Sequence, residues 1–163
     1  MSTPSASTKL TQEHRDIDAG IEAFIADARQ TQALDAAIRL LRQHIYVEEA
    51  VLFGPLEQSG LTMPVFVMKR EHGQMWTQLA TLDAARAQNA APATLQAQAR
   101  ALLDALQIHN GKEEEIVYTF ADRLIAASPA HPFVGALRAR RHMPQGWRCA
   151  MAPPPDHTPR NRV

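Results

Sequence analysis

Cysteine is nearly absent from this chain: Cys149 stands alone, which excludes an intrachain disulfide framework and a thiolate metal site. Glycine is scarce at seven residues, aromatics make up only 6%, and strand-like alternation is missing. A composition rich in Ala, Leu, Gln, Arg and Glu then points to an all-α protein. No apolar run approaches the roughly 20 residues that span a bilayer, and the polar first residues carry no apolar signal core. A soluble, cytoplasmic protein with no membrane partner is expected. Net charge is also missing, but unevenly: residues 1–137 hold 11 basic and 16 acidic side chains, residues 138–163 hold 6 and 1. An acidic body lacks the concentrated basic face that phosphates require, so no nucleic-acid partner is expected. Arg138, Arg140, Arg141, Arg148, Arg160 and Arg162 read as a solvated basic tail.

What is present is helical periodicity. With 163 residues the chain is long enough for one domain with a real core. A first helix capped near Ser7 or Thr8 has the stripe Leu10, His14, Ile17, Ile21, Phe24 and Ala28. A second runs from about Thr31 to Phe53, with Gly54 and Pro55 as its stop signal, and carries Leu34, Ile38, Leu41, His44, Glu48 and Val51 or Leu52. The third opens around Thr62 and Pro64 and carries Val65, Met68, His72, Met75 or Trp76, Leu79 and Leu82. Pro92 opens the fourth, whose stripe is Leu95, Ala99, Leu102, Leu106, His109, Glu113, Ile116, Phe120 and Leu124. Gly111, at some cost in helix propensity, is expected to relieve crowding beside a neighbour. Short loops make successive helices antiparallel, giving an up-down-up-down four-helix bundle over residues 9–127. A polar segment, 1–8, precedes it. A short fifth helix from Pro132 to about Arg141 and a Pro- and Arg-rich tail, with Trp147 docked, occupy 128–163. No internal repeat is read from the chain.

Six polar residues fall on core positions of these stripes: His14, His44, Glu48, His72, His109 and Glu113. The pairs His44-x-x-x-Glu48 and His109-x-x-x-Glu113 each place an imidazole and a carboxylate on one helix face. Counted from the expected helix ends at 1.5 Å per residue, neighbouring histidines differ in height by at most about 5 Å. Burying two unpaired carboxylates would cost several kcal/mol each, in order of magnitude, and no Lys or Arg on the four stripes pairs them. A dinuclear cation centre supplies the missing charge. Imidazole and carboxylate without thiolate suit iron or manganese and would accept zinc. Glu49, Glu71, Glu114 and Glu115 point away from the core, to solvent or to the outer side of the ligands. Tyr46 and Tyr118 fall off the ligand face, and His131, His142 and His157 lie outside the pattern at the surface.

The ordered set His14, His44-x-x-x-Glu48, His72, His109-x-x-x-Glu113 resembles the bacterial members of the hemerythrin-like family with the His-His-Glu cation-binding pattern, over roughly residues 9–127. The resemblance implies a four-helix bundle around a non-haem centre of two iron ions. Glu48 and Glu113 would bridge the irons, His44 and His109 would each bind one beside its bridge, and His14 and His72 would complete the shells. Which two histidines share an iron is open at this level. The oxygen-carrying members have a His-x-x-x-His pair on the third helix, where this chain has Trp76 four residues after His72, placed to wall the pocket. They also use a differently spaced Asp in place of Glu113. Both departures argue against a reversible oxygen carrier. Relatives that repair iron–sulfur clusters or respond to nitric oxide commonly add an N-terminal cysteine-containing module, which this sequence lacks, and Cys149 reads as a bystander.

The expected function is binding of dioxygen or nitric oxide at a di-iron centre for sensing, storage or scavenging. A redox enzyme acting on peroxide or nitric oxide, or in iron–sulfur cluster repair, is the alternative. An iron-responsive regulatory module is a third. Whether the chain is an enzyme, and what electron donor or protein partner it meets, stay open here.

Overall fold

The computed structural model describes residues 6–139 and 141–155. Those residues form helices, turns and loops with no strand among them. Helix α1 spans Ala6–Ala26, α2 Thr31–Val47, α3 Phe53–Gln58, α4 Thr62–Ala87, α5 Pro92–Lys112, α6 Tyr118–Ala127 and α7 Pro132–Ala139. Two π-helical turns, Glu48–Leu52 and Glu113–Val117, join α2 to α3 and α5 to α6 without interruption. The bundle therefore has four rods: α1, residues 31–58, α4, and residues 92–127.

Cross-rod contacts show that the rods run antiparallel. Arg86 pairs with Asp35, Arg42 with Asp83, and, one level further, Glu49 meets His72. Between α4 and the fourth rod, Gln78 reaches the Ala101 carbonyl while Glu71 meets His109. Gly20 sets the closest approach: a Cβ there would lie 2.8 Å from both the Ala33 carbonyl oxygen and the Ala37 Cβ. Only glycine lets α1 cross α2 at that distance.

Several expected boundaries shift. Helix α1 already includes Ser7 and Thr8, and the Ser7 hydroxyl donates to Asp122 on the fourth rod. Gly54 and Pro55 do not end the second rod: α3 runs through both to Gln58. The chain turns instead after Ser59, at Gly60, whose φ is 103°. Gly111 relieves no crowding, since a Cβ there would meet open space. Helix α7 stops at Ala139, short of Arg141. Most of the polar segment 1–8, and Arg140, His157, Arg160 and Arg162, lie outside the described residues.

Two apolar cores fill the bundle. One contains Ile17, Ile21, Phe24, Leu34, Leu41, Met75, Leu79, Leu102 and Leu106. The other contains Leu10, Leu52, Phe53, Leu56, Val65, Met68, Val117 and Ala121, and Phe133, Val134 and Leu137 of α7 close it. The segment after α7 returns along the bundle and covers the first core. Its Trp147 ring meets Tyr46 and Trp76 edge to face, and Cys149 is buried. Ala150 donates its backbone N–H to Glu49 at 2.7 Å. A Cβ on Gly73 would overlap the Met151 carbonyl, so glycine admits this segment against α4. Arg138, Arg141 and Arg148 remain exposed. Among the described residues, no helix is long and apolar enough to cross a membrane.

Candidate metal centre

The six polar core residues occupy the layer between the two apolar cores. On α1, His14 follows Leu10 of one core and precedes Ile17 of the other; on α4, His72 sits likewise between Met68 and Met75. Glu48, His72 and Glu113 are 0% exposed, and His14, His44 and His109 are 3% exposed. Water is excluded from above and below by aliphatic and aromatic side chains. At that burial, charge on the carboxylates must be balanced by neighbours within the layer.

Each imidazole is held from outside by a carboxylate on Nδ1. His14 meets Glu114 at 2.9 Å; His44 meets Glu13, His72 meets Glu49 and His109 meets Glu71, all at 2.8 Å. An Nδ1–H donated to a carboxylate fixes the ring orientation and aims Nε2 inward. Glu71 is further held by Lys112, and these two donors keep its carboxyl down at about 2.

Inside the layer the donors fall into two sets. His14, His44, Glu48 and Glu113 offer ligand atoms all within 4.8 Å of one another, and so do Glu48, His72, His109 and Glu113. Both carboxylates belong to both sets, one oxygen facing each. Glu48 Oε1 lies 3.2 Å from His44 Nε2, and its Oε2 lies 3.3 Å from His72 Nε2. Glu113 Oε2 lies 3.3 Å from His14 Nε2, and its Oε1 lies 3.2 Å from His109 Nε2 and 3.8 Å from His72 Nε2. The two sets group His14 with His44, and His72 with His109.

The donor atoms themselves favour a cation. Glu48 Oε2, His72 Nε2 and Glu113 Oε1 are buried without a hydrogen-bond partner, although they approach one another. Native interiors rarely tolerate three such atoms together. Among the protein groups alone, the balancing charge falls to the imidazoles. Burial works to lower His44, but Glu48 and Glu13 raise it to about 10; His109 is raised to about 10 against the same burial by Glu113 and Glu71. Burial and the Glu48 charge work to raise Glu113, and His109 and His14 hold it at about 2 nonetheless. Buried His and Glu groups in this arrangement are fit for metal.

A family model described as the hemerythrin HHE cation binding domain matches residues 5–121. The chain belongs to that family. The match begins a little before and ends a little before the 9–127 bundle read from the sequence. No curated protein and no solved structure gives a match.

In this hemerythrin-family chain the π-turns explain where sequence reading slipped. Each begins at a carboxylate of the layer, Glu48 or Glu113, and inserts one extra residue into its rod. Beyond Glu113 the first two core positions move one residue along: Ile116 is 44% exposed, whereas Val117 and Ala121 are buried. Phe120 and Leu124 only border the core. The wider turn also brings the residue five after each carboxylate onto the ligand face. Phe53 stacks on His72 with centroids 5.6 Å apart, and Tyr118 stacks on His14 at 5.5 Å.

Tyr118, expected off the ligand face, is therefore inside the layer. Its hydroxyl donates to Glu48 Oε1 at 2.6 Å and lies 3.0 Å from His14 Nε2 and 3.2 Å from His44 Nε2. Burial and the carboxylates of Glu113 and Glu48 push the phenol well above its usual range. Tyr46 stays off the ligand face, against Trp147. The ring contacts of Trp76 are with Trp147 and the Arg42 guanidinium, so it packs in the first core. His131 and His142 are exposed, as is Glu115, while Glu49, Glu71 and Glu114 serve as the outer anchors.

Glu13 escaped sequence reasoning, and so did the repeat that contains it. Glu13-His14 on α1 matches Glu71-His72 on α4, and His44-x-x-x-Glu48-Glu49 with Phe53 matches His109-x-x-x-Glu113-Glu114 with Tyr118. Glu13 holds His44 as Glu71 holds His109, and Glu49 holds His72 as Glu114 holds His14. Two helix pairs thus build the layer with approximate two-fold symmetry. The signal was present in the sequence as a Glu before each first histidine and a second Glu after each ligand carboxylate.

Proposed function

We propose that this chain is a non-haem di-iron protein that binds a small diatomic ligand, dioxygen or nitric oxide, for sensing, storage or scavenging. The observation that carries the reading is the sharing of Glu48 and Glu113 between two histidine pairs, one carboxylate oxygen toward each pair. In it, His14 and His44 would hold one iron, His72 and His109 the other, and the two glutamates would bridge them. Imidazole and carboxylate donors without thiolate support iron or manganese ahead of softer metals. When bound, the metal pair supplies redox-active positions at which a diatomic molecule can coordinate.

The protein's own contribution is orientation and exclusion. Glu114, Glu13, Glu49 and Glu71 keep the four imidazoles in one tautomer and one rotation. The apolar cores on either side favour a small uncharged ligand over ionic ones and keep bulk water away. A cytoplasmic location fits a chain whose one cysteine is unpaired. In this reading the bundle of residues 9–127 is the functional unit and the segment after it a cover.

Metal analysis and absorption spectra of protein reduced without air, then exposed to dioxygen or nitric oxide, test the proposal. Two irons per chain with new bands at one ligand per centre are expected. Multiple turnover with a reductant would replace binding by catalysis as the function. Folded protein that takes up no iron would overturn the metal reading.

A further inference from the structure

On the inward face of the layer, the approximate two-fold symmetry is broken at one pair of rings. Tyr118 and Phe53 occupy matching places, five residues after Glu113 and Glu48, and each stacks on the first histidine of a pair. Both rings are buried and lie at nearly the same distance from the imidazole they stack on, so packing alone asks for no hydroxyl at residue 118. Yet the Tyr118 oxygen lies among the donors of the His14 and His44 set: 2.6 Å from Glu48 Oε1, 3.0 Å from His14 Nε2, 3.2 Å from His44 Nε2 and 3.4 Å from Glu113 Oε2. One oxygen within reach of all four members of a candidate ligand set is placed as a fifth member. On the other side Phe53 presents no polar atom, and the three donors without hydrogen-bond partners include two that face His72 and His109 and His72 Nε2 itself.

Resting on the di-iron reading, we propose that the phenolic oxygen of Tyr118 is a seventh protein ligand, given to the metal held by His14 and His44. The two metal positions are then inequivalent. Five protein donors on the tyrosine side leave an octahedral ion one free position, and four on the phenylalanine side leave two. The small ligand accordingly binds at the His72 and His109 position, beneath Phe53. Ligation exchanges the phenol proton for a metal–oxygen bond: the O–H bond breaks, the proton leaves to solvent, and no electron moves.

The test loads intact protein with ferrous iron without air and oxidises it with ferricyanide. Resonance Raman excited in the visible should then show tyrosine ring modes enhanced through a phenolate-to-ferric transition. Tyr118→Phe, which copies the ring already present at residue 53, should keep two irons per chain and lose both the modes and the visible band. The chain's only other tyrosine is Tyr46, and Tyr46→Phe should retain them. Two irons in the native chain without ring modes would overturn the ligand assignment while leaving the di-iron centre standing. Modes that survive in Tyr118→Phe would overturn it as well. Absence of bound iron in the native chain would instead bring down the reading on which it rests. If Tyr118→Phe does not fold, the native spectrum and Tyr46→Phe still decide.

Discussion

Around the shared carboxylates, the half of the layer formed by His14 and His44 faces the Tyr118 hydroxyl, and the half formed by His72 and His109 faces the bare ring of Phe53. The inward-facing donors of the two halves otherwise correspond closely, while outside them Lys112 holds Glu71 and the Ala150 N–H holds Glu49. The imidazole centroids are 4.7 Å apart in one and 4.9 Å in the other, and each first histidine meets the opposite rod's carboxylate at 3.3 Å. Repetition supplies the common scaffold of the layer, and the hydroxyl at residue 118 is the polar departure on its inward face.

The largest effect is expected from removing a group that both halves share. Glu113→Ala should empty both positions, leaving well below about one metal ion per chain by elemental analysis. His72→Ala or His14→Ala removes a donor from one half only and should leave about one ion per chain, with the shared glutamates still in place. Equal loss in all three variants would mean that the halves do not fill separately.

The outer anchors sharpen the comparison at smaller amplitude. Glu13→Gln and Glu71→Gln each weaken the hold on one imidazole, in opposite halves. Each should lower the affinity of its own position by about 10–100-fold in a metal titration and spare the other. Below these comes Gly73→Ala, which adds a methyl group where the Met151 carbonyl packs. It should cost about 1–3 kcal/mol in thermal or denaturant unfolding and speed tryptic cleavage after Arg148 by loosening the segment that carries it.

The smallest expected effect is at Asp18, one helical turn from His14 in the tyrosine half. Partial burial raises its carboxyl from 3.8 to about 6, with Glu22 and Glu114 adding to the rise and His14 opposing it. A raised folded-state value contributes stability that is complete below pH 3.8 and lost as pH rises through about 6. Ionised Asp18 is therefore a burden at neutral pH. Asp18→Asn should stabilise the protein by about 1 kcal/mol near pH 7.5, a figure reduced for its partial exposure, and the gain should vanish below about pH 4. Melting temperatures across that range check the sign.

The chain's linear pattern by itself determined the four helical rods, their antiparallel order and the convergence of His14, His44, Glu48, His72, His109 and Glu113. It could do so because helical phase and rise are local and regular, so a 3.6-residue repeat carries six side chains to one face and one level. Only the tertiary structure decided which histidines pair, that Tyr118 enters the layer, and that the segment around Trp147 and Cys149 covers the first core. The pairing and the cover depend on which rods and segments become neighbours, a matter of packing across the bundle. The entry of Tyr118 depends on a π-turn that adds one residue and rotates the remainder of its rod, which a regular 3.6-residue phase does not contain.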